Sequence, residues 1–403
     1  MLKRIEINQL RVGMYCSSWV YTTSFIKKSF LVKDQDELDH IINSVTKEIF
    51  IDTRKGLDVM SEPVPAPIIK KAVDSLAPQK TIDLKTSLTI NEELKQASKI
   101  VNTSKEAISS MFNQARMGKT VNLENALSLV SEITSSVMRN PGALIGLARL
   151  KTKDNYTYMH SVAVSALVVS LARQLGLSDE QTREAGLAGL LHDIGKMAIP
   201  NSILNNPGKL TNEEFDAVKE HPVAGHRILF ESGTIGEIAL EVCLHHHEKV
   251  DGTGYPDRLS GDNISMFARM VSICDVYDAI TSNRPYKQGW CPSESLHRMV
   301  GWKGHFDQNI FQAFVKCIGI YPVGTLVHLQ SGRLGVVVEQ PVGKSLLLPK
   351  VRVFFSCKSN KYIMPQLLDL ADPGIGDKIV AYADAKKWQL KDINKYWLGD
   401  EAR

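Results

Sequence analysis

Apolar positions recur at helical spacing through the middle of this 403-residue chain, and give way to strand-like runs near both ends. Residues 1–55 mix the β-rich runs SFLV and EIFID with one helical stretch, KDQDELDHIINSV. Residues 55–85 carry Pro63, Pro65, Pro67 and Pro78, which suits a linker. Two helical patterns follow, near 90–116 and 120–139, and Asn140-Pro141-Gly142 stops the second. From about 143 to 318 the pattern is strongly helical. One helix opens at residues 157–161 and ends at Gly176; Ser178 with Gln181 forms a capping box for the next, which runs through AGLAGLLHDIG. Thr211 with Glu214 is a second capping box, and helical patterns resume near 234–248 and 265–282. From about 321, GTLVHLQSGRLGVVVEQ reads as two strands around a Ser-Gly turn, and KVRVFF as a third. The expected fold is mainly α. Residues 1–130 form a small α+β domain with linker and helices, 140–318 a helical domain, and 321–403 a small β-rich extension.

Bulk properties narrow the function. A net charge of +4 is too small to argue for a nucleic acid polymer or an anionic membrane. No apolar run approaches the ~20 residues that span a bilayer. The start, MLKRIEINQL, has no apolar core of the signal-peptide kind. Cys16, Cys243, Cys274, Cys291, Cys317 and Cys357 are scattered without CxxC spacing, which fits a reduced, cytoplasmic protein without a disulfide framework or thiolate zinc site.

The chemistry concentrates in HDIGK at 192–196 and HHHEKVDGTGYP at 245–256, with His160, His221 and Asp275 around them. An aspartate at the rim of an apolar helix, as Asp193 is, costs free energy unless it is paired or metal-bound. Adjacent His192 and Asp193 can serve one site if the carboxylate bridges two ions. Asp275 lies in the apolar run MVSICDVYDAI, where an ionised carboxylate needs a cation. Asp278, one turn on, is either a supporting partner or a surface acid. Consecutive helical residues lie ~100° apart, so only an adjacent pair of His245, His246 and His247 can face one site. The residues alone leave both pairs open. A nitrogen and carboxylate set without thiolate favours iron, manganese or nickel over structural zinc. Two such ions ~3.5–4 Å apart would activate water and clamp a phosphoryl group. Lys196, Arg284 and Lys287 are cations flanking this set and suited to phosphate oxygens. Gly252 and Gly254 suit a tight loop, and Tyr255 is placed there to stack on a base or to pack the loop itself.

In order along the chain, residues 156–160, HDIGK, His221-Pro222, His246-His247-Glu248, DGTGYP, CDVYDA and RPYK resemble the HD-GYP domain, a branch of the HD metal-dependent phosphohydrolases. The resemblance covers roughly 145–318 and implies an all-helical HD fold and hydrolysis of a cyclic dinucleotide. Cyclic di-GMP is the family's main substrate, giving pGpG or GMP, and 3'3'-cyclic GMP-AMP is the alternative. It implies the metal ligands His160, His192, Asp193, His221, His246, His247 and Asp275, with Asp193 bridging two divalent ions, iron or manganese. It excludes His245 and places Lys196, Arg284 and Lys287 on substrate phosphate. Some members carry a Glu one turn before the first histidine and bind a third metal. Tyr156 stands there in this chain, so two ions are expected, unless an acid distant in sequence, such as Glu184 or Glu248, replaces that Glu. NQLRVGMY and FIDTRKG resemble a domain of unknown function often fused ahead of HD-GYP domains, suited to dimerisation or a protein partner. Two rivals stand beside the enzyme: a cyclic dinucleotide receptor with little turnover, and an HD phosphohydrolase of another nucleotide.

Overall fold

The computed structural model describes residues 2–52 and 88–398, apart from 8–9, 11, 22–24, 43–47, 89, 120, 122, 151–155, 205, 207, 234, 283–288 and 341–344. The chain divides into two compact units, residues 1–68 and 69–403. The first holds β1 (Leu2–Glu6), β2 (Tyr15–Tyr21), β3 (Phe25–Leu31), α1 (Gln35–Ile42) and β4 (Glu48–Asp52). Its antiparallel sheet runs in the order β1-β4-β2-β3. Asp34 accepts from the Glu37 amide while the Glu37 carboxylate accepts from the Lys33 amide, which starts α1. Alternate residues Ile49 and Ile51 of β4 then meet Ile5, Cys16, Leu38 and Ile41 in a small core.

The second unit is built on helices. α2 (Ile90–Arg116) and α3 (Glu124–Arg139) each carry one apolar stripe, Leu94, Ala97, Ile100, Ile108, Met111 and Phe112 on the first, Leu129, Val130, Ile133 and Val137 on the second. The stripes pack into one core with Val162, Ala166, Leu190 and Leu191 of the helices that follow. In the contact division, α2 and α3 thus belong to the second compact unit. Between α2 and α3, the fully buried Glu93 accepts from Arg139 Nε at 2.6 Å and from Ser136 Oγ at 2.6 Å. Asn140-Pro141-Gly142 both stops α3 and starts α4 (Pro141–Ala148): the Asn140 side chain accepts from the Gly142 amide, and Pro141 takes the first helical position.

α5 (Tyr156–Gln174) is apolar on nearly every side and is the central helix, buried from Val162 to Ala172. α6 (Asp179–Leu191) starts at the Ser178–Gln181 capping box and packs against it. Gly186 and Gly189 permit the contact: a Cβ on Gly186 would lie 2.7 Å from Val169, and one on Gly189 would lie 3.2 Å from the Ser165 backbone. The start of α5 thereby lies beside the end of α6. Then come α7 (Asn212–Lys219), α8 (His221–Ser232), α9 (Glu237–His245), α10 (Met266–Thr281), α11 (Pro292–Val300) and α12 (Gln308–Ile318). None of the described helices is long and apolar enough to cross a membrane.

The C-terminal part is an antiparallel sheet of β5 (Leu326–Leu329), β6 (Arg333–Glu339), β7 (Lys350–Ser356), β8 (Lys361–Asp369) and β9 (Ile379–Tyr382), in the order β8-β7-β6-β5-β9. Its central strands are covered on both faces. Leu334, Val336 and Val338 join the core of α3 and α4, while Val337, Val351 and Val353 join that of α5 and α12. The fully buried Trp397 sits on Gly146 of α4, where a Cβ would come within 2.8 Å of the indole. The three strands expected from the sequence are β5, β6 and β7. β8 and β9 went unread because β8 is an edge strand with Pro365 inside it and little burial to impose alternation.

Replacing Glu93 by Ala should remove the α2–α3 ion pair and leave Arg139 and Ser136 without that partner. Because Arg139 is 26% exposed, the expected loss is about 1–3 kcal/mol rather than the larger cost of a fully buried pair. Urea unfolding of the full chain checks this, and an unchanged midpoint would show that the pair carries no stability.

Candidate metal centre

The site forms where four chain segments converge on the α5–α6 pair. His160 lies in the first turns of α5, and His192 and Asp193 lie just past the end of α6, so the antiparallel pair brings them together. A short 3-10 turn, Ile194–Ala198, follows. Gly195 in that turn touches the start of α8 so closely that a Cβ would lie 1.9 Å from the His221 carbonyl and 2.5 Å from the Gly225 amide nitrogen. Gly225 in turn leaves room for the Cys243 thiol of α9. These two glycines let the backbones of the turn, α8 and α9 stack, which carries His221 and the end of α9 up to Asp193. α10 supplies Asp275 and Asp278 from its buried face.

Seven side chains meet there in two groups, His160, His192 and Asp275 in one, and Asp193, His221, His246 and His247 in the other. In each group, atoms able to bind a cation lie within 4.8 Å of one another. Asp193 faces both. Its Oδ2 lies 3.3 Å from His160 Nε2 and 3.4 Å from His192 Nε2, while its Oδ1 lies 3.3 Å from His221 Nε2 and 3.9 Å from His246 Nε2. Asp275 Oδ1 lies 3.0 Å from His160 Nε2 and 3.7 Å from His192 Nε2.

The opposite edge of each ring shows which nitrogen carries the proton. Nδ1 of His192 donates to the Gly189 carbonyl at 2.8 Å, Nδ1 of His221 to the Val218 carbonyl at 2.7 Å, and Nδ1 of His246 to the Val242 and Cys243 carbonyls at 3.1 Å. Nδ1 of His160 faces Asp278 Oδ2 at 2.6 Å. A carbonyl only accepts, so Nδ1 of His192, His221 and His246 holds a hydrogen, and each of these rings turns its Nε2 into the site. His221 and His246 consequently face each other Nε2 to Nε2 at 3.3 Å. Two lone pairs at that distance repel unless a proton or a cation lies between them. His192 Nε2 and Asp193 Oδ1 are buried and have no hydrogen-bond partner among the described residues. The arrangement fits divalent cations held by nitrogen and carboxylate.

Electrostatics agrees. Burial opposes charge on His160, yet Asp193, Asp275 and Asp278 together push its pKa up to about 10. His192 is likewise buried and pushed up to about 9 by Asp193 and Asp275. Burial raises the carboxyls of Asp193 and Asp275, but the opposing charges win: Lys196 and the histidines hold Asp193 well below its ordinary range, and His160 and His192 do so for Asp275. This half of the site attracts positive charge. In the other half, burial and neighbouring histidines hold His246 well below its usual value, and His247 falls to about 3. Those rings stay neutral, with nitrogen lone pairs available.

The remaining expected residues fall as follows. Lys196 forms a salt bridge with Asp193 Oδ2 and keeps a quarter of its side chain exposed. Tyr255 stacks on His247, with ring centroids 4.8 Å apart. His245 points elsewhere, between Glu241 at 3.1 Å and Asp257 at 3.0 Å. Asp278 supports His160. Glu184 is exposed, and Glu248 is buried with its Oε1 on the Asp257 amide; neither joins the two groups. Arg284 and Lys287 lie outside the described residues, as does the side chain of Tyr156. Sequence reasoning missed the carbonyls of Gly189, Val218, Val242 and Cys243 that orient the rings, because backbone groups leave no side-chain signal.

Asp193→Ala should empty both groups of metal, because one carboxylate faces each. His247→Ala should lower metal content, and His245→Ala should leave it intact. Elemental analysis of anaerobically purified variants reads all three, and full occupancy in the Asp193 variant would remove it from the centre.

Residues 132–310 match the HD domain family, and residues 2–126 match a domain of unknown function, DUF3391. The DUF3391 match thus includes α2, which packs in the second unit. The chain is similar to the cyclic di-GMP phosphodiesterase PA4108 of Pseudomonas aeruginosa, with 49% identity over 404 residues, 99% of this chain and 96% of that protein. Over a shorter span it is similar to the cyclic di-GMP phosphodiesterase response regulator RpfG of Xanthomonas campestris pv. campestris, with 38% identity covering 48% of this chain and 53% of that protein. It is also similar to the 3'3'-cGAMP-specific phosphodiesterase 3 of Vibrio cholerae, with 36% identity covering 42% of this chain and 37% of that protein. With near-complete coverage at 49% identity, and with the ordered HD and GYP motifs in place, the chain belongs to the HD-GYP family, with an HD domain preceded by DUF3391.

Proposed function

We propose that the chain is a metal-dependent phosphodiesterase that opens a cyclic dinucleotide, cyclic di-GMP or 3'3'-cyclic GMP-AMP, to the linear dinucleotide. The observation that carries the reading is the buried Asp193 carboxylate, which turns one oxygen to each of two histidine groups. Relatives named for cyclic di-GMP and for 3'3'-cGAMP hydrolysis support the substrate class.

His160, His192 and Asp275 would hold one ion, His221, His246 and His247 the other, and Asp193 both. Iron or manganese suits this nitrogen and oxygen set. Bound divalent ions supply Lewis acidity toward phosphoryl oxygens and make water acidic enough to act as a nucleophile near neutral pH. The protein does the rest. Asp193, held ionised by Lys196, orients the attacking oxygen. Lys196, bound to Asp193 Oδ2, would be the side chain to give the leaving ribose oxygen its proton. Arg284 and Lys287 would grip phosphate oxygens, and the half-buried Tyr255, stacked on His247, would flank the substrate. A receptor without turnover has no need of a buried bridging carboxylate with an unpaired oxygen. Residues 1–130 then serve as the regulatory or dimerising part, and the free state of all six cysteines supports a cytoplasmic location.

Anaerobic purification, metal analysis and a panel of cyclic dinucleotides with added Mn²⁺ or Fe²⁺ test the proposal. The expected result is a linear dinucleotide product, abolished by Asp193→Ala. Tight binding without product would favour the receptor reading, and turnover of mononucleotides alone would favour another HD phosphohydrolase. Arg284→Ala and Lys287→Ala should keep their metals and lose about tenfold to a hundredfold in kcat/KM through KM, the worth of one charge-assisted hydrogen bond. Unchanged kinetics in both would leave them as surface cations.

A further inference from the structure

The run HHHE at 245–248 places only His246 and His247 in the metal groups. Its outer two members converge on one residue of the GYP loop. Glu248 is 2% exposed, and its Oε1 accepts from the Asp257 backbone amide at 2.7 Å. His245 Nε2 meets the Asp257 carboxylate at 3.0 Å, while His245 Nδ1 is held by Glu241, itself bonded to Ser265 at the start of α10. Asp257 is thus gripped by backbone and side chain from the same turn that presents the metal-binding histidines.

The loop between them lies directly on that turn. A Cβ on Gly254 would come within 2.4 Å of Glu248 Cα and of the Lys249 nitrogen. The Tyr255 amide donates to the His247 carbonyl at 3.3 Å, and the Tyr255 ring stacks on the His247 ring. The N-terminal half of the loop is fixed independently: Asp251 N donates to the Gly304 carbonyl at 2.9 Å, and Asp251 Oδ1 accepts from Thr253 N and Oγ1. The far side of Tyr255 is fixed by Asp257.

We propose that Glu248 is a positioning residue that clasps the Asp257 amide and so holds Tyr255 as a rigid wall beside the metal centre, with His245 as the weaker outer half of the clasp. The burial of the two contacts ranks them. The Glu248 end of its bond is buried, and breaking that bond strands a buried carboxylate. The Asp257 side chain is 55% exposed, where an ion pair contributes little. The wall matters to a ligand wide enough to reach it. A cyclic dinucleotide extends well past the phosphate held at the metals and meets Tyr255; a small phosphodiester needs the metals alone. The inference rests on the proposed cyclic dinucleotide substrate for its kinetic reading, and on the loop geometry alone for its structural one.

The test uses the full-length, metal-loaded protein as wild type, Glu248→Ala, Glu248→Gln and His245→Ala. Three quantities are read: metal content, amide hydrogen exchange across residues 251–257, and kinetics on cyclic di-GMP and on bis(p-nitrophenyl) phosphate. Glu248→Ala should keep its metals, speed exchange at the Asp257 amide by about tenfold or more, and raise KM for cyclic di-GMP by about tenfold. Its kcat/KM on the small diester should stay within about twofold of wild type. Glu248→Gln keeps an oxygen acceptor and should recover both exchange and KM, and His245→Ala should fall between wild type and Glu248→Ala. Loss of metal with equal loss on both substrates, wild-type exchange in Glu248→Ala, or a Gln variant as impaired as the Ala variant would each overturn the clasp. If the wild type turns over no cyclic dinucleotide, the substrate reading falls, and exchange at Asp257 still decides whether the clasp exists.

Discussion

The constraint on which the site depends is the cost of burying two ionised carboxylates, Asp193 and Asp275, at one point of a helical core. An isolated buried carboxylate loses several kcal/mol of hydration free energy, and imidazoles repay that only by becoming charged or by sharing a cation. The structure closes the first route on one side. His246 and His247 are held neutral, and the hydrogen of His221 and of His246 is committed to a backbone carbonyl. What remains facing Asp193 Oδ1 is a set of lone pairs. Lone pairs and a carboxylate oxygen form a stable arrangement around a cation and an unstable one without it. The same fact that makes the site costly to fold makes it able to hold divalent ions.

The rest of the unit can be understood as the scaffold that enforces this convergence. Gly186 and Gly189 bring α6 against α5 so that His160 and His192 share one end of the pair. Gly195 and Gly225 do the same for the turn after α6, α8 and α9. The C-terminal sheet, covered on both faces, and Trp397 on Gly146 brace α3, α4, α5 and α12 from behind. At each of these glycines a Cβ would crowd a neighbour, backbone at Gly189 and Gly195 and side chain at Gly146, Gly186 and Gly225, so the positions of the ligands follow from close helix packing. The GYP loop lies outside this frame, held by the turn that bears His246 and His247 and by the Gly304 carbonyl.

Much of this was legible in the chain itself. The Ser178–Gln181 and Thr211–Glu214 boxes mark helix starts because capping is local chemistry, and both are present. Asp193 and Asp275 stood out because carboxylates in apolar surroundings need partners, the full set of seven candidates came from the family resemblance, and the structure brings those seven side chains together. Other features had no local signal. Three consecutive histidines look alike in sequence, and only the turn at the end of α9 separates the inward His246 from His245. The stripes on α2 and α3 announce a partner surface without naming it, so their packing against α5 and α6 was not legible. β8 lacks the alternation that burial imposes. The family resemblance supplied the histidine register and the substrate class, which periodicity and spacing do not contain.

The central claim, that Asp193 is shared by two ions, is tested most directly by an anomalous-scattering map from crystals of the metal-replete protein. The account predicts two full peaks, ~3.5–4 Å apart as in other two-metal sites, one beside His160, His192 and Asp275 and one beside His221, His246 and His247, each against a different oxygen of Asp193. A single peak, or a third full peak beside His160, would contradict it.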